Sequence, residues 1–268
     1  LPLWRIESET ARAHLLGSVH ALPADFYPLP AAILDAYDAS EVLVLEVDIS
    51  RVDQEQMQQL MRATGYYKAN STLATELPPP TLALLDQYIA KRRLPEDVNR
   101  MKPWLVALNV GLIELAHRGY FPAYGIDQYF MNRAIADGKP ILQLETMREQ
   151  IEMLAADPPT IQALSLHASL AEVDEFTQRI DDLMTAWRQG DPDRLLAVSK
   201  ASTADYPALA GQMARIIDQR NVTMAEKIGT YLAKPGQYFI VVGALHLGGE
   251  SGLIRLLRQD FVVTQVAR

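Results

Sequence analysis

The chain has no cysteine among its 268 residues. Disulfides, thiolate nucleophiles and cysteine-held zinc are therefore excluded. No run of 18 apolar residues occurs, so no segment reads as a membrane-spanning helix. Positive charge is in deficit: 25 Lys and Arg against 33 Asp and Glu leave −8 near neutrality. That balance disfavours nucleic acid and anionic membrane surfaces as partners. Familiar catalytic signatures are missing too. Neither Gly-x-Ser-x-Gly nor His-Glu-x-x-His occurs, which removes the nucleophile elbow and ordinary zincin chemistry. Without a Walker motif or Gly-x-Gly-x-x-Gly, no nucleotide cofactor is indicated. Histidine is scarce, with five in the chain, yet two of them share one pattern.

That pattern is His14-Leu-Leu-Gly17-Ser-Val-His20 and Phe239-Ile-Val-Val-Gly243-Ala-Leu-His246. Each is a short apolar run followed by Gly-x-x-His. Such a run reads as a buried strand ending in a turn, which sets one His just beyond each strand's C-terminal end. In open α/β sheets ligands bind along that edge. Val42-Leu-Val-Leu45 and Pro140-Ile-Leu-Gln-Leu144 are two further buried strands, ending at Glu46 and Glu145. Residues 261–266 form a last one. Helical patterns fill 30–39, 52–64, 81–92, 103–118, 146–156, 159–189, 193–200 and 206–233, and one runs from about 127 to Gly138. Strands alternating with helices predict an α/β fold with a mainly parallel or mixed central sheet. The helices outnumber what crossovers need. One domain over 1–268 is expected, with helical insertions at about 50–120 and 147–235 walling a cleft above the strand ends.

In a parallel sheet, His20, Glu46, Glu145 and His246 fall on one edge. Two neutral imidazoles with one or two carboxylates suit Zn²⁺, Mn²⁺, Co²⁺ or Fe²⁺. Such an ion lowers the pKa of bound water and polarises a carbonyl. Each residue also has a plainer reading. A strand-end His can be a turn residue, and Glu46 or Asp48 a paired or solvated carboxylate. Glu145 can cap the next helix and Asp127 can be an N-cap. Arg220 and Asn221 fall within a long helix, where Arg is usually solvated. His14, His117 and His167 lack the Gly-x-x-His context and read as structural or surface residues.

The chain resembles the TraB/GumN family, which includes the Tiki metalloproteases. Leu16-Gly-Ser-Val-His20, Val44-Leu-Glu46-Val-Asp48, Lys102-Pro-Trp104 and Gly125-Ile-Asp127 carry the likeness, in order. Gly138-Lys-Pro140, Leu144-Glu-Thr146 with Gln150, Arg220-Asn221-x-x-Met224-Ala225 and Val242-Gly-Ala-Leu-His246-Leu-Gly248 complete it. Asp260-Phe261 departs from the usual Gly-Tyr, away from the expected site. The resemblance implies an erythromycin-esterase-like or ChaN-like fold and a divalent-metal hydrolase, a peptidase acting on a peptide or protein. Mn, Co or Zn would be held by His20, Glu46 and His246. Glu46 would serve as ligand or base, with Arg220 and Asn221 orienting substrate and Asp127, Glu145 and Asp48 in support. It also implies a periplasmic or otherwise exported protein, with the cytoplasm as the alternative, and the start at Leu1 without methionine reads either as a mature form after signal-peptide removal or as a trimmed chain. Two alternatives stay open: a metal-independent esterase-like hydrolase using His and Glu, and a haem- or peptide-binding protein without chemistry.

Overall fold

The computed structural model describes residues 1–201 and 204–267. Six strands form one mixed sheet in the order β4-β3-β5-β2-β1-β6. They are β1 (Leu3–Glu7), β2 (Ala11–Ser18), β3 (Val42–Leu45), β4 (Ile141–Gln143), β5 (Gly236–Gly243) and β6 (Val262–Gln265). β2, β5, β3 and β4 run parallel, whereas β1 is antiparallel to both β2 and β6. β1 was not among the expected strands. Its Leu3-Trp-Arg-Ile-Glu alternation places Trp4 and Ile6 in one core beside Ala11, Ala13 and Leu15. The Ser8 hydroxyl accepts the Ala11 N–H and closes the hairpin.

The helices are α1 (Ala31–Asp38), α2 (Gln54–Gly65), α3 (Leu73–Glu76), α4 (Pro79–Arg92), α5 (Pro103–His117), α6 (Ile126–Asp137) and α7 (Met147–Ala155). They continue as α8 (Pro159–Ala171), α9 (Phe176–Gln189), α10 (Pro192–Ala201), α11 (Ala210–Met213), α12 (Arg220–Leu232) and α13 (Leu253–Leu257). The expected helix over 159–189 is two, α8 and α9. Among the described residues no helix is long and apolar enough to cross a membrane.

Side chains of β5 alternate between two cores, as a strand buried on both faces requires. Phe239 and Val241 join Tyr37, Phe130 and Trp187 from α1, α6 and α9. Tyr238, Ile240 and Val242 join Met224, Ile228 and Leu232 from α12 and Leu253 from α13. The sheet is therefore covered by helices on both sides. A third core, around Leu85, Val106, Val110 and Leu166, binds α4, α5 and α8 to one another rather than to the sheet. A fourth, with Leu60, Trp104 and Ile151, joins α2, α5 and α7. The expected wall is thus divided. α5 and α7 flank the strand ends, while α9 and α12 cover sheet faces.

Register brings the chemistry together. Ser18 pairs with Gly243, Leu45 with Val241, and Leu45 with Gln143. The four parallel strands therefore end at nearly one level, and the residues that follow them share one edge.

Candidate active site

Each strand end supplies one group. After β2, His20 projects its ring into the cleft, with two-thirds of the side chain exposed. Its Nδ1–H donates to Asp127 Oδ2 at 2.8 Å. Asp127 is not the N-cap of α6, since Gly125 occupies that position. Its other oxygen accepts from the Ser18 hydroxyl at 2.8 Å, so one loop grips both carboxylate oxygens. The Asp127 charge raises the His20 pKa to about 9, with help from Glu46, against burial and Arg220. His20 therefore carries a proton at neutral pH.

Glu46, beyond β3, is buried. Oε1 accepts from the Gly243 N–H, and Oε2 accepts from Arg220 Nη2 at 2.7 Å and Gln150 Nε2 at 3.3 Å. Burial works against its charge, but the His246 and His20 rings, Arg220 and the Gly243 N–H outweigh it. The carboxyl is held down to about 2. Glu145, beyond β4, does not cap α7. Thr146 and Glu149 do that as a reciprocal capping box. Glu145 instead accepts from Arg220 Nε at 3.0 Å and Nη2 at 2.8 Å.

Arg220 opens α12 immediately after a π-helical turn, Ala214–Gln219. Such turns recur at functional sites. Its remaining amino group, Nη1, donates to the Ile216 carbonyl at 3.2 Å and to His246 Nε2 at 3.1 Å. With Glu46 and Glu145 on the other nitrogens, the whole guanidinium fork is engaged inside the protein. His246, beyond β5, is buried and donates from Nδ1 to Asn221 Oδ1 at 2.6 Å. Burial lowers its pKa to about 4, despite the nearby Glu46. It is a neutral imidazole whose tautomer Asn221 fixes. Asn221 is fully buried, and its amide nitrogen donates to the Ser251 carbonyl. Its place is behind His246.

Both Gly-x-x-His histidines lie beside Gly243, which leaves room between them and Glu46. A methyl on Gly243 would stand 3.0 Å from His20 Nε2, 3.2 Å from Glu46 Oε1 and 3.5 Å from His246 Cδ2. Asp48 lies apart. It caps the short turn Ile49–Arg51 through the Ser50 N–H and pairs with Arg51. Gln150 and Ser18 also belong to the site, and both lie in stretches that carry the family likeness, Leu144-Glu-Thr146 with Gln150 and Leu16-Gly-Ser-Val-His20. Gln150 stands on the first turns of α7, one helical turn past Thr146, and Ser18 lies two residues from His20 on the same loop.

The donor set can be tested against a divalent ion. Of the groups such an ion would need, His246 Nε2, 3.9 Å from Glu46 Oε1, receives a hydrogen bond from Arg220 Nη1, Oε1 itself accepts the Gly243 N–H, and the other Glu46 oxygen is taken by Arg220 Nη2. Among the described residues no three His, Cys, Asp or Glu side chains form a ligand group. As arranged, the residues do not fit a divalent ion, because the cation seated among them is the guanidinium.

Above these groups lies an open cleft of about 430 Å³. His20, Glu46, Asp127, Arg220 and His246 form its polar part, with Leu108 of α5, Met153 and Leu154 of α7 and Ile49 among its apolar walls.

Residues 2–265 match the TraB/PrgY/gumN family, and the chain belongs to that family. It is 26% identical over 249 residues to the uncharacterized protein YbaP of Shigella flexneri, across 92% of this chain and 88% of that one. It is likewise 26% identical over 248 residues to the uncharacterized protein YbaP of Escherichia coli K12, across 91% and 87%. No solved structure matches the chain significantly.

Proposed function

We propose that this member of the TraB/PrgY/gumN family is a hydrolase of peptide or ester bonds whose own side chains perform the proton transfers. One observation carries the reading. His20 Nε2 and Glu46 Oε1 face the same space beside Gly243, at 3.0 and 3.2 Å from the position of its absent Cβ. Asp127 holds the ring that carries a proton, and the Arg220 cluster holds the carboxylate that lacks one. An acid and a base aimed at one point are what hydrolysis of an acyl bond requires.

In this reading Glu46 Oε1 orients a water and accepts its proton as the water oxygen bonds to the carbonyl carbon. His20 Nε2–H donates to the leaving nitrogen or oxygen as its bond to that carbon breaks. The proton on Glu46 then returns to His20. Arg220, with no donor to spare, does not bind the substrate. It pairs with Glu46 and Glu145 and steadies His246, and Asn221 supports it through the same ring. This revises the substrate-orienting role expected of the Arg220–Asn221 pair.

Purified protein should cleave members of a peptide library. His20→Ala and Glu46→Gln should each lower turnover by about 10²–10⁴-fold. The His20 variant should melt close to wild type, because that side chain is largely exposed, whereas Glu46→Gln should also lose stability, because it unpairs the buried Arg220. Chelator should leave wild-type turnover in place. Turnover lost to chelator and restored by Mn²⁺ would return the assignment to a metal-activated water. Tight peptide or haem binding with no turnover would leave a binding protein.

A further inference from the structure

The cleft's polar side chains are spent on one another. His20 Nδ1 is on Asp127, Gln150 on Glu46 and Glu145, and Gln128 on Asn132. Both nitrogens of His246 and every nitrogen of Arg220 are engaged. Among the described residues, His20 Nε2 is the one side-chain nitrogen lining the cleft without a partner, and no lysine lines it. An anionic substrate group beside the scissile bond would give up water and find no free donor but His20 Nε2, beside the carboxylates of Glu46 and Asp127, which is costly.

The walls are of the opposite character. Ile49 and Leu108 are 42% and 44% exposed, although both are large apolar residues. They come from separate elements, the turn after Glu46 and the middle of α5, and open onto the same cleft with Met153 and Leu154 of α7. Met147 and Met131 extend the lining. Thioethers adapt to differently shaped apolar partners. Apolar groups left in water around a polar floor mark a ligand surface.

We propose that the substrate carries large apolar side chains, of leucine or phenylalanine size, beside the bond that is cut. Ile49 and Leu108 are the residues that select for them. This rests on the hydrolase reading above and gives that reading its substrate class. Acidic residues next to the bond are disfavoured by the Glu46 and Asp127 carboxylates that line the cleft, and small ones by want of contact.

The test uses fluorescein-labelled octapeptides of glycine and serine with two central leucines, aspartates or lysines. Cleavage is followed by chromatography, and equilibrium binding by anisotropy on the same wild-type protein. The dileucine peptide should be cut with a kcat/KM at least about 10-fold above the other two. Leu108→Lys should reduce that rate about 10-fold and raise the rate on the diaspartate peptide, with an unchanged melt because the side chain is exposed. Equal rates on the three peptides, or a ratio unmoved by Leu108→Lys, would overturn the proposal. If none is cut, the hydrolase reading fails by itself. Anisotropy then decides the selectivity: binding of the dileucine peptide alone sustains it, and equal or absent binding ends it.

Discussion

At the scale of the residue, the site depends on one missing methyl group. Gly243 both donates its N–H to Glu46 and leaves open the space between Glu46 and His20. Gly243→Ala should keep the fold, since only side-chain atoms crowd the new carbon. It should lower turnover by about 10-fold, because His20 Nε2 and Glu46 Oε1 must give way by a few tenths of an ångström and reacting groups tolerate little misplacement. Comparing melts with rates checks this, and wild-type rates in the alanine variant would remove the reacting centre from this spot. Asp127 has a separable effect. Histidine titration followed by NMR in chelator-treated protein should place His20 near 9, and Asp127→Asn should return it toward 6.5. Most of these residues were legible from type and position. The repeated Gly-x-x-His marked His20 and His246, and an acid after an apolar strand marked Glu46 and Glu145. What spacing could not show was which side chain takes which partner. Asp127 and Glu145 were equally good caps on paper, and Asp48 proved to be one.

At the scale of the element, the strand ends are held in place by distant helices. Trp187 of α9 donates its indole N–H to the Gly17 carbonyl at 2.7 Å, three residues before His20. Trp187→Phe leaves that buried carbonyl unpaired, which should cost about 1–3 kcal/mol and lower turnover by loosening the His20 loop. Urea melts read the first effect and rates the second, and a variant matching wild type in both would sever the link. The helical layer has its own lock. Fully buried Glu114 of α5 accepts from Arg92 Nε at 2.8 Å, Arg118 Nη1 at 3.0 Å and the Tyr88 hydroxyl at 2.9 Å. Burial opposes its charge, but these donors hold its carboxyl below the usual value. A depressed folded pKa stabilises above the unfolded value and is lost as pH falls through the folded one. Glu114→Gln should therefore cost about 2–3 kcal/mol at pH 7, discounted for the partly exposed arginines. Its stability should vary less with acid than wild type does. Equal acid sensitivity of the two proteins would contradict this. The α4–α5–α8 core was legible as amphipathic helices, but its independence from the sheet was not. Periodicity shows that a face is buried and never against what.

At the scale of the whole molecule, a parallel array of four strands aligns their ends, and helices added between the strands raise a cleft over that edge. Strand–helix alternation predicted the α/β class, and the sheet confirms it. The antiparallel β1 is not legible because Leu3-Trp-Arg-Ile-Glu is short, interrupted by Arg5 and buried only through its pairing with β2 and β6. The metal expectation came from residue types, their strand-end positions and the family resemblance. Arg220, distant in sequence, could not be seen to stand among the same donors. Glu46 without a proton and His20 with one are the working states, so kcat/KM should rise as Glu46 deprotonates and fall as His20 loses its proton. The most direct measurement is the pH dependence of kcat/KM on a cleaved peptide, in chelator-treated wild type and Asp127→Asn. The account predicts a plateau across neutrality that falls above about 9 in wild type, and a limb moved down toward 6.5 in the variant. A rate that climbs through 9, or a limb that Asp127→Asn leaves in place, would contradict His20 as the proton donor.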